Sequence, residues 1–204
     1  NVDTEPIRVP YRETITKPAS GVEGRHKKQT GGHGQFGVCV IDVEPLGRGD
    51  GFSFASSVVG GAIGRSYIGA VQKGIEETMG DGGVYGYPVV DVGVTVTDGK
   101  EHSVDSSEMA FKVAGRLAFR AALAQAGPVI LEPVSRLVVV VPLEVQGDVM
   151  GDLNSRRGRV QGTDTTADGR QVVTALVPTS EIQRYAIELR SLTGGRGRFH
   201  AQHD

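Results

Sequence analysis

Hydrophobic positions recur with a period of two in some stretches of the chain and at helical spacing in others, and the switches between the two mark out its elements. Ile7 to Ile15 reads as an edge strand, because Pro6 and Pro10 are tolerated only where no neighbour needs their missing N–H. Val22 to Gln29 and Gln35 to Val43 flank Thr30-Gly-Gly-His-Gly34, which predicts a hairpin with a glycine-rich end. Phe52 to Val58 is a further strand, broken by Gly60-Gly61. Ile68, Val71, Gln72, Ile75 and Met79 predict a helix from Arg65 to Met79, ended by Gly80-Asp-Gly-Gly83. Val89 to Thr97 is an apolar strand, and Asp98-Gly99 behind it predicts a turn with the glycine at positive φ. Asp105 is the expected N-cap of a second helix, with Glu108 as its capping-box partner. In that helix Met109, Val113, Leu117 and Leu123 fall at helical spacing. Ala110, Ala114, Ala118, Ala121 and Ala122 between them let the helix pack closely on a sheet. At ~1.5 Å per residue it is about 30 Å long.

Gly127-Pro128 has to stop this helix, so we place a domain boundary there, dividing the chain into 1–127 and 128–204. Beyond it the pattern predicts a strand over Val134 to Val141 and a helix from about Leu143 to Arg157. A hairpin of Val160 to Thr166 and Gln171 to Val177 follows, around Ala167-Asp-Gly169. A helix from Ser180 to Leu192 and a strand from Arg198 to Gln202 complete the order βαββαβ, the ferredoxin-like unit. The fold class is therefore α+β, a sheet covered by two helices followed by a ferredoxin-like domain.

Composition narrows the function classes. A length of 204 residues supports one or two domains, and a net charge of −2 gives no global field for nucleic acid, so any RNA contact must come from local patches. Five Tyr, six Phe and no Trp make the chain lean in base-stacking aromatics. The single Cys39 rules out an internal disulfide, fits a reducing compartment and lies in the apolar run Phe36 to Val43, where it reads as a small buried hydrophobe. No apolar run approaches the length of a membrane span. Asn1-Val-Asp-Thr-Glu-Pro6 lacks the features of a signal peptide, and a start without Met reads as a piece of a longer protein. No Gly-x-x-x-x-Gly-Lys-Ser/Thr run supplies a phosphate-binding loop, and no Cys/His spacing suits zinc. Gly194-Gly195-Arg196-Gly197 follows a helix instead of opening one, so a C-cap and turn is expected there.

Three clusters carry candidate chemistry. Arg25, Lys27 and Lys28 climb one strand of the first hairpin towards Gln29, His33 and Gln35, whose amides and imidazole suit base edges, ribose hydroxyls and phosphates. The bland alternative is a solvated hairpin end. His102 follows the predicted turn. Glu101 and Asp105 alone make a poor metal set, no nucleophile accompanies it for general-base work, and a hydrogen-bonding loop residue is the third reading. The second domain holds nine Arg and no Lys, with Arg156, Arg157 and Arg159 at a helix C-terminus and Arg196 and Arg198 near the last strand. Phosphate contacts and mere capping or surface solubility both account for them.

Two of these stretches resemble the tip of domain four of bacterial elongation factor G: Gln29-Thr-Gly-Gly-His-Gly-Gln-Phe-Gly37, and Asp98-Gly99 with His102-Ser-Val-Asp-Ser-Ser-Glu-Met-Ala-Phe111. Val58-Val-Gly-Gly61, Ala70-Val-Gln-Lys-Gly-Ile-Glu-Glu77 and Tyr87-Pro-Val-Val-Asp91 are similar to the same domain. Pro128-Val-Ile-Leu-Glu-Pro133 and Gly147-Asp-Val-Met-Gly-Asp-Leu-Asn-Ser-Arg-Arg-Gly158 resemble its fifth domain. Gly64 and Gly69 stand where that family commonly has proline, and His33 where arginine is usual.

The resemblance implies a ribosomal-protein-S5-domain-2-like first domain with a left-handed βαβ crossover. It implies a role as the cytoplasmic, monomeric, ribosome-binding C-terminal part of a translational GTPase, whose GTP and Mg sit in N-terminal domains outside this chain, which itself holds no cofactor or metal. The parent would promote movement of tRNA and mRNA by inserting the tip into the ribosomal A site, on the small subunit. Tip contacts to RNA are implied for Gln29, Thr30, Gly31, Gly32, His33, Gly34, Gln35, Lys100, an unmodified His102, Ser103 and Asp105. Large-subunit contacts, to ribosomal RNA and stalk-base proteins, are implied for Arg156, Arg157, Arg159, Arg196 and Arg198. A recycling or ribosome-protection paralogue shares the same strut. From a different class, an independent RNA-binding module or small-molecule enzyme pair remains open, since both folds host many functions.

Overall fold

A computed structural model describes residues 8–203, in two compact units. The first, Tyr11–Leu131, contains strands β1 (Arg12–Ile15), β2 (Ala19–Thr30), β3 (His33–Pro45) and β4 (Phe52–Ser56), helix α1 (Arg65–Asp81), strand β5 (Val92–Lys100), helix α2 (Glu108–Gln125) and strand β6 (Pro128–Leu131). Four strands form one sheet in the order β2-β3-β5-β4, antiparallel except for the parallel pair β4–β5 that α1 connects. A separate two-stranded ribbon joins β1 to β6, so Pro128–Leu131 packs with the first unit. One face of the sheet supplies Val22, Cys39, Ile41, Val43, Val94 and Val96 to the core, and both helices cover it. Phe111 and Phe119 of α2 are fully buried there, each contributing about 2–3 kcal/mol by burial. Small residues bring α2 onto the strands: a Cβ on Gly24 of β2 would lie 2.0 Å from the Ala114 carbonyl oxygen. Burial lifts the Cys39 thiol to about 12, which makes it an inert packing residue.

Several boundaries differ from the expectation. The edge strand starts only at Arg12; Ile7 lies outside the described residues. Strand β4 stops at Ser56, short of Val58. Asp98-Gly99 is not a turn: β5 runs through both to Lys100, with Gly99 opposite Cys39 and Lys100 opposite Val38. Glycine is needed at 99 for close approach, since a Cβ there would come within 2.2 Å of Ile63 and 2.4 Å of the Val38 carbonyl oxygen. Asp105 is not the N-cap of α2; Ser107 is, its extended backbone letting Oγ accept from the Ala110 N–H at 3.1 Å.

The second unit runs from Glu132 to the last described residue, His203. Its elements are β7 (Val134–Val141), α3 (Gln146–Ser155), β8 (Arg159–Thr165), β9 (Gln171–Pro178), α4 (Tyr185–Thr193) and β10 (Arg198–His203). The antiparallel order β10-β7-β9-β8 is that of a ferredoxin-like fold. Leu137, Val139, Val141, Val173, Ala175 and Val177 line the sheet's inner face, opposite Val149, Leu153, Tyr185 and Leu189 of the two helices. Both helices are shorter than their patterns predict: a 3₁₀ turn, Leu143–Val145, leads directly into α3, and another, Thr179–Glu181, is followed by three non-helical residues before α4. The expected C-cap is present after α4: Gly194 is left-handed at φ 59°, and the Gly195 N–H bonds the Arg190 carbonyl at 2.8 Å. Among the described residues no helix is long and apolar enough to cross a membrane.

Candidate nucleic-acid interface

Only two residues turn the first hairpin. Gly31 and Gly32 both have positive φ, 55° and 118°, and Thr30 pairs with His33 across them. His33, Gly34 and Gln35 therefore belong to β3, which makes the loop tighter than the sequence suggests. Residues Gln29 to His33 are exposed, and Arg25, Lys27 and Lys28 stand exposed on β2 beneath them. The His26 ring Nε2 and the Gln35 Oε1 lie 2.7 Å apart, which orients the Gln35 amide.

The second loop leaves β5 after Lys100 and turns through Ser103, Val104 and Asp105 before α2. It is ordered by its own backbone and by the hairpin. His102 Nδ1 accepts from the N–H groups of Val104 and Asp105, at 3.3 and 3.1 Å, so in this conformation its proton sits on Nε2. The Asp105 carboxylate is 3.6 Å from Nδ1, a proximity that a charged imidazole would turn into an ion pair. At 3.6 Å that contact is too long for a hydrogen bond, and the two backbone N–H groups are the nearer partners of Nδ1. His102 is thus a half-exposed loop residue whose ring hydrogen-bonds its own backbone.

The structure brings the two loops together. Phe36 on β3 donates its N–H to the Asp105 carbonyl at 2.9 Å, and its own carbonyl accepts from Ser106 Oγ at 2.8 Å. The same hydroxyl accepts from the His102 N–H at 2.8 Å. The Phe36 and His102 rings lie 6.1 Å apart, tilted by 56°. Gly34 leaves room for Asp105, since a Cβ at 34 would stand 2.6 Å from its carboxylate. Sequence reasoning missed Phe36 and Ser106, because one reads as a strand apolar and the other as a helix-start serine. Glu101 is a third missed contact: its Oε2 accepts the Gly64 N–H at 2.9 Å, tying the start of α1 to the tip loop.

The arginines of the second unit divide into two sets. Arg156, with only 12% of its side chain exposed, pairs with Asp152 at 2.9 Å and with Glu188, bonds the Glu181 carbonyl at 2.8 Å and lies over the Tyr185 ring at 5.1 Å. Arg157 forks onto both oxygens of Glu132, at 2.9 and 2.8 Å, and reaches Glu181 at 3.1 Å. The Arg157 bond holds the Glu132 carboxyl below its usual range, and Glu132 in turn raises the guanidinium. Arg196 pairs with Glu144. Arg159 and Arg198 are exposed strand residues that make no ion pair among the described residues.

Comparison with known proteins agrees along nearly the whole chain. The family model for elongation factor G, domain IV, matches residues 7–127, and that for the elongation factor G C-terminus matches 129–204. Elongation factor G-like proteins from Mycobacterium tuberculosis, strains CDC 1551 / Oshkosh and ATCC 25618 / H37Rv, are 54% identical over 199 residues, 98% of this chain and 28% of each relative. A protein from Thermus thermophilus of known crystal structure matches with a TM-score of 0.87 at 42% identity, over 98% of this chain and 30% of its own. The chain therefore spans under a third of the length of these relatives.

Proposed function

The chain belongs to the elongation factor G family, and we propose that it is the ribosome-binding C-terminal part of a translational GTPase, acting as a strut. Its tip enters the ribosomal A site, on the small subunit, so that tRNA and mRNA, once moved, cannot slip back. GTP and Mg belong to N-terminal domains of the parent, and this chain supplies shape and hydrogen bonds. The observation that carries this reading is the joining of two distant loops at Phe36, Ser106 and Asp105 into one exposed tip above Arg25, Lys27 and Lys28. RNA minor grooves display 2′-hydroxyls that small polar groups read by shape, and such groups crowd this tip. In the second unit we assign large-subunit phosphate contacts to Arg159 and Arg198, because neither is held in an ion pair among the described residues.

A specific contact favours a second reading, a recycling or ribosome-protection paralogue with the same strut. The Gly64 N–H holds Glu101 of the tip loop, and the proline that the family commonly carries there has no N–H to give.

The test is His102→Ala in the intact factor, with single-round translocation and phosphate release measured on the same ribosomes. Translocation is expected to slow while phosphate release is spared, because hydrolysis takes place in other domains. The side chain accepts two backbone N–H bonds, so the substitution loosens the loop by about 1 kcal/mol and leaves the core intact. Equal translocation rates for mutant and wild type reject the tip assignment.

A further inference from the structure

The join between the two tip loops leaves a cleft of about 180 Å³. At ~30 Å³ per water, that is the space of about six waters, enough for part of a flat heterocycle but not for a folded ligand. Its walls differ in chemistry. Phe36 and His102, whose rings lie 6.1 Å apart, line it together with the cationic residues Lys27 and Lys28 and the amide residues Gln29 and Gln35. Asp105 contributes a carboxylate that accepts no hydrogen bond from any described residue, although only 27% of its side chain is exposed. Both N–H groups beside it go to His102 Nδ1. The bare Cα of Gly34 is what allows the carboxylate to sit there.

A partly buried carboxylate without a donor is complementary to a ligand that brings two. Among the four RNA bases only guanine presents two parallel N–H donors, N1–H and the N2 amine, on its Watson–Crick edge. Two carboxylate oxygens match that pair, and a charge-assisted pair is stronger than a neutral one. Adenine and cytosine present an acceptor beside their amine, and uracil presents a single N–H between two carbonyls. Unpaired bases are held by proteins in this way, flat against a ring and read along the Watson–Crick edge.

Resting on the reading of the tip as an RNA-facing strut, we propose that this cleft is a subsite for one unpaired guanine nucleotide of RNA, with Asp105 taking the base edge, Phe36 and His102 forming its ring wall, and Lys27 and Lys28 meeting the flanking phosphates.

The test uses the 204-residue chain and the RNA trimers UGU, UIU (inosine, which lacks the N2 amine), UAU and UUU, with free guanosine monophosphate as a further probe. Backbone amide shifts in an NMR titration at low salt report both site and affinity. UGU is expected to shift amides of residues 27–36 and 100–106 and to bind about tenfold or more tighter than UAU or UUU, with UIU between them. Asp105→Asn should erase the preference for UGU while leaving the weak binding shared by all trimers. Lys27→Ala with Lys28→Ala should weaken all the trimers alike and keep the preference. Equal affinity of all trimers at the tip amides overturns the guanine subsite and leaves the RNA-facing tip standing. Absence of shifts at these amides with every trimer overturns both. Free guanosine monophosphate binding as tightly as UGU overturns the assignment to RNA.

Discussion

Two basic regions of this protein look alike in sequence and differ in what their charges can do. On the hairpin, Arg25, Lys27 and Lys28 are exposed and make no ion pair among the described residues. At the end of α3, Arg156 and Arg157 face Asp152, Glu188, Glu181 and Glu132, which hold them in place. The first set is charge available to a partner; the second is internal wiring of the ferredoxin-like unit. A run of cations thus shows where positive groups are, and only the position of carboxylates from elsewhere in the chain shows which are free. Fixing a guanidinium between carboxylates also withdraws its field from solvent, so Arg156 has little left to offer a phosphate.

The sharpest way to break the comparison is Arg156→Ala. If Arg156 is wiring, its loss leaves Asp152 unpaired and uncovers Tyr185, and unfolding in urea should show a loss of about 2 kcal/mol, less than for a fully buried pair because Glu188 is half exposed. RNA or ribosome affinity should hardly change. A variant of unchanged stability that binds less well would return Arg156 to the phosphate-contacting set.

A smaller effect is expected at Asp91, a tie of the first unit remote from the tip. Burial by itself pushes this carboxyl up, but the Gly51 and Gly49 N–H groups, at 2.9 and 3.1 Å, and Arg48 outweigh it and hold the group below its ordinary range. A depressed carboxylate contributes stability that is full above its unfolded value, ~3.9, and that is lost as pH falls through the lower folded value. Asp91→Asn keeps the left-handed backbone at φ 60° and one acceptor oxygen. It should lose about 1 kcal/mol at pH 7 and show a flatter decline below about pH 4. Parallel acid limbs for the two proteins would remove Asp91 from the account.

The smallest stability change, and the largest in salt dependence, belongs to the free cations. Lys27→Ala and Lys28→Ala should each stay within about 0.5 kcal/mol of wild type. Each should also lower the slope of log affinity against log salt for single-stranded RNA by about 0.7. Arg159→Ala and Arg198→Ala test the same idea on the second unit with large-subunit RNA fragments, and Arg156→Ala serves as the control whose slope stays put. Equal slopes across all five variants would erase the distinction between the two regions.

Much of the fold was legible along the chain because it rests on local periodicity. The alternation in Val134 to Val141 and the helical spacing from Ile68 to Met79 put the core faces in place, and their order implied βαββαβ. The glycines were legible as punctuation and ambiguous as to kind. Gly31-Gly32 turns the chain with positive φ, while Gly99 sits in a continuous strand and is required only by the approach of Ile63 and the Val38 backbone. A local pattern cannot separate these, since the second need arises from a residue far away in sequence. Asp105 shows the same limit: its spacing to Glu108 fits a capping box, yet Ser107 takes the cap and leaves the carboxylate free in the cleft.

From its own sequence, then, this protein determined its strands, its helices, its family likeness and the two polar loops worth watching, because each follows from neighbours a few residues apart. Tertiary structure alone decided that Phe36 and Ser106 lock those loops into one tip, that His102 spends Nδ1 on its own backbone, and that Glu132, Glu181 and Glu188 occupy arginines 25 or more residues away in most cases. The reason is physical: hydrogen bonds and ion pairs act over about 3 Å of space, and only the folded backbone brings residues so distant along the chain to that separation.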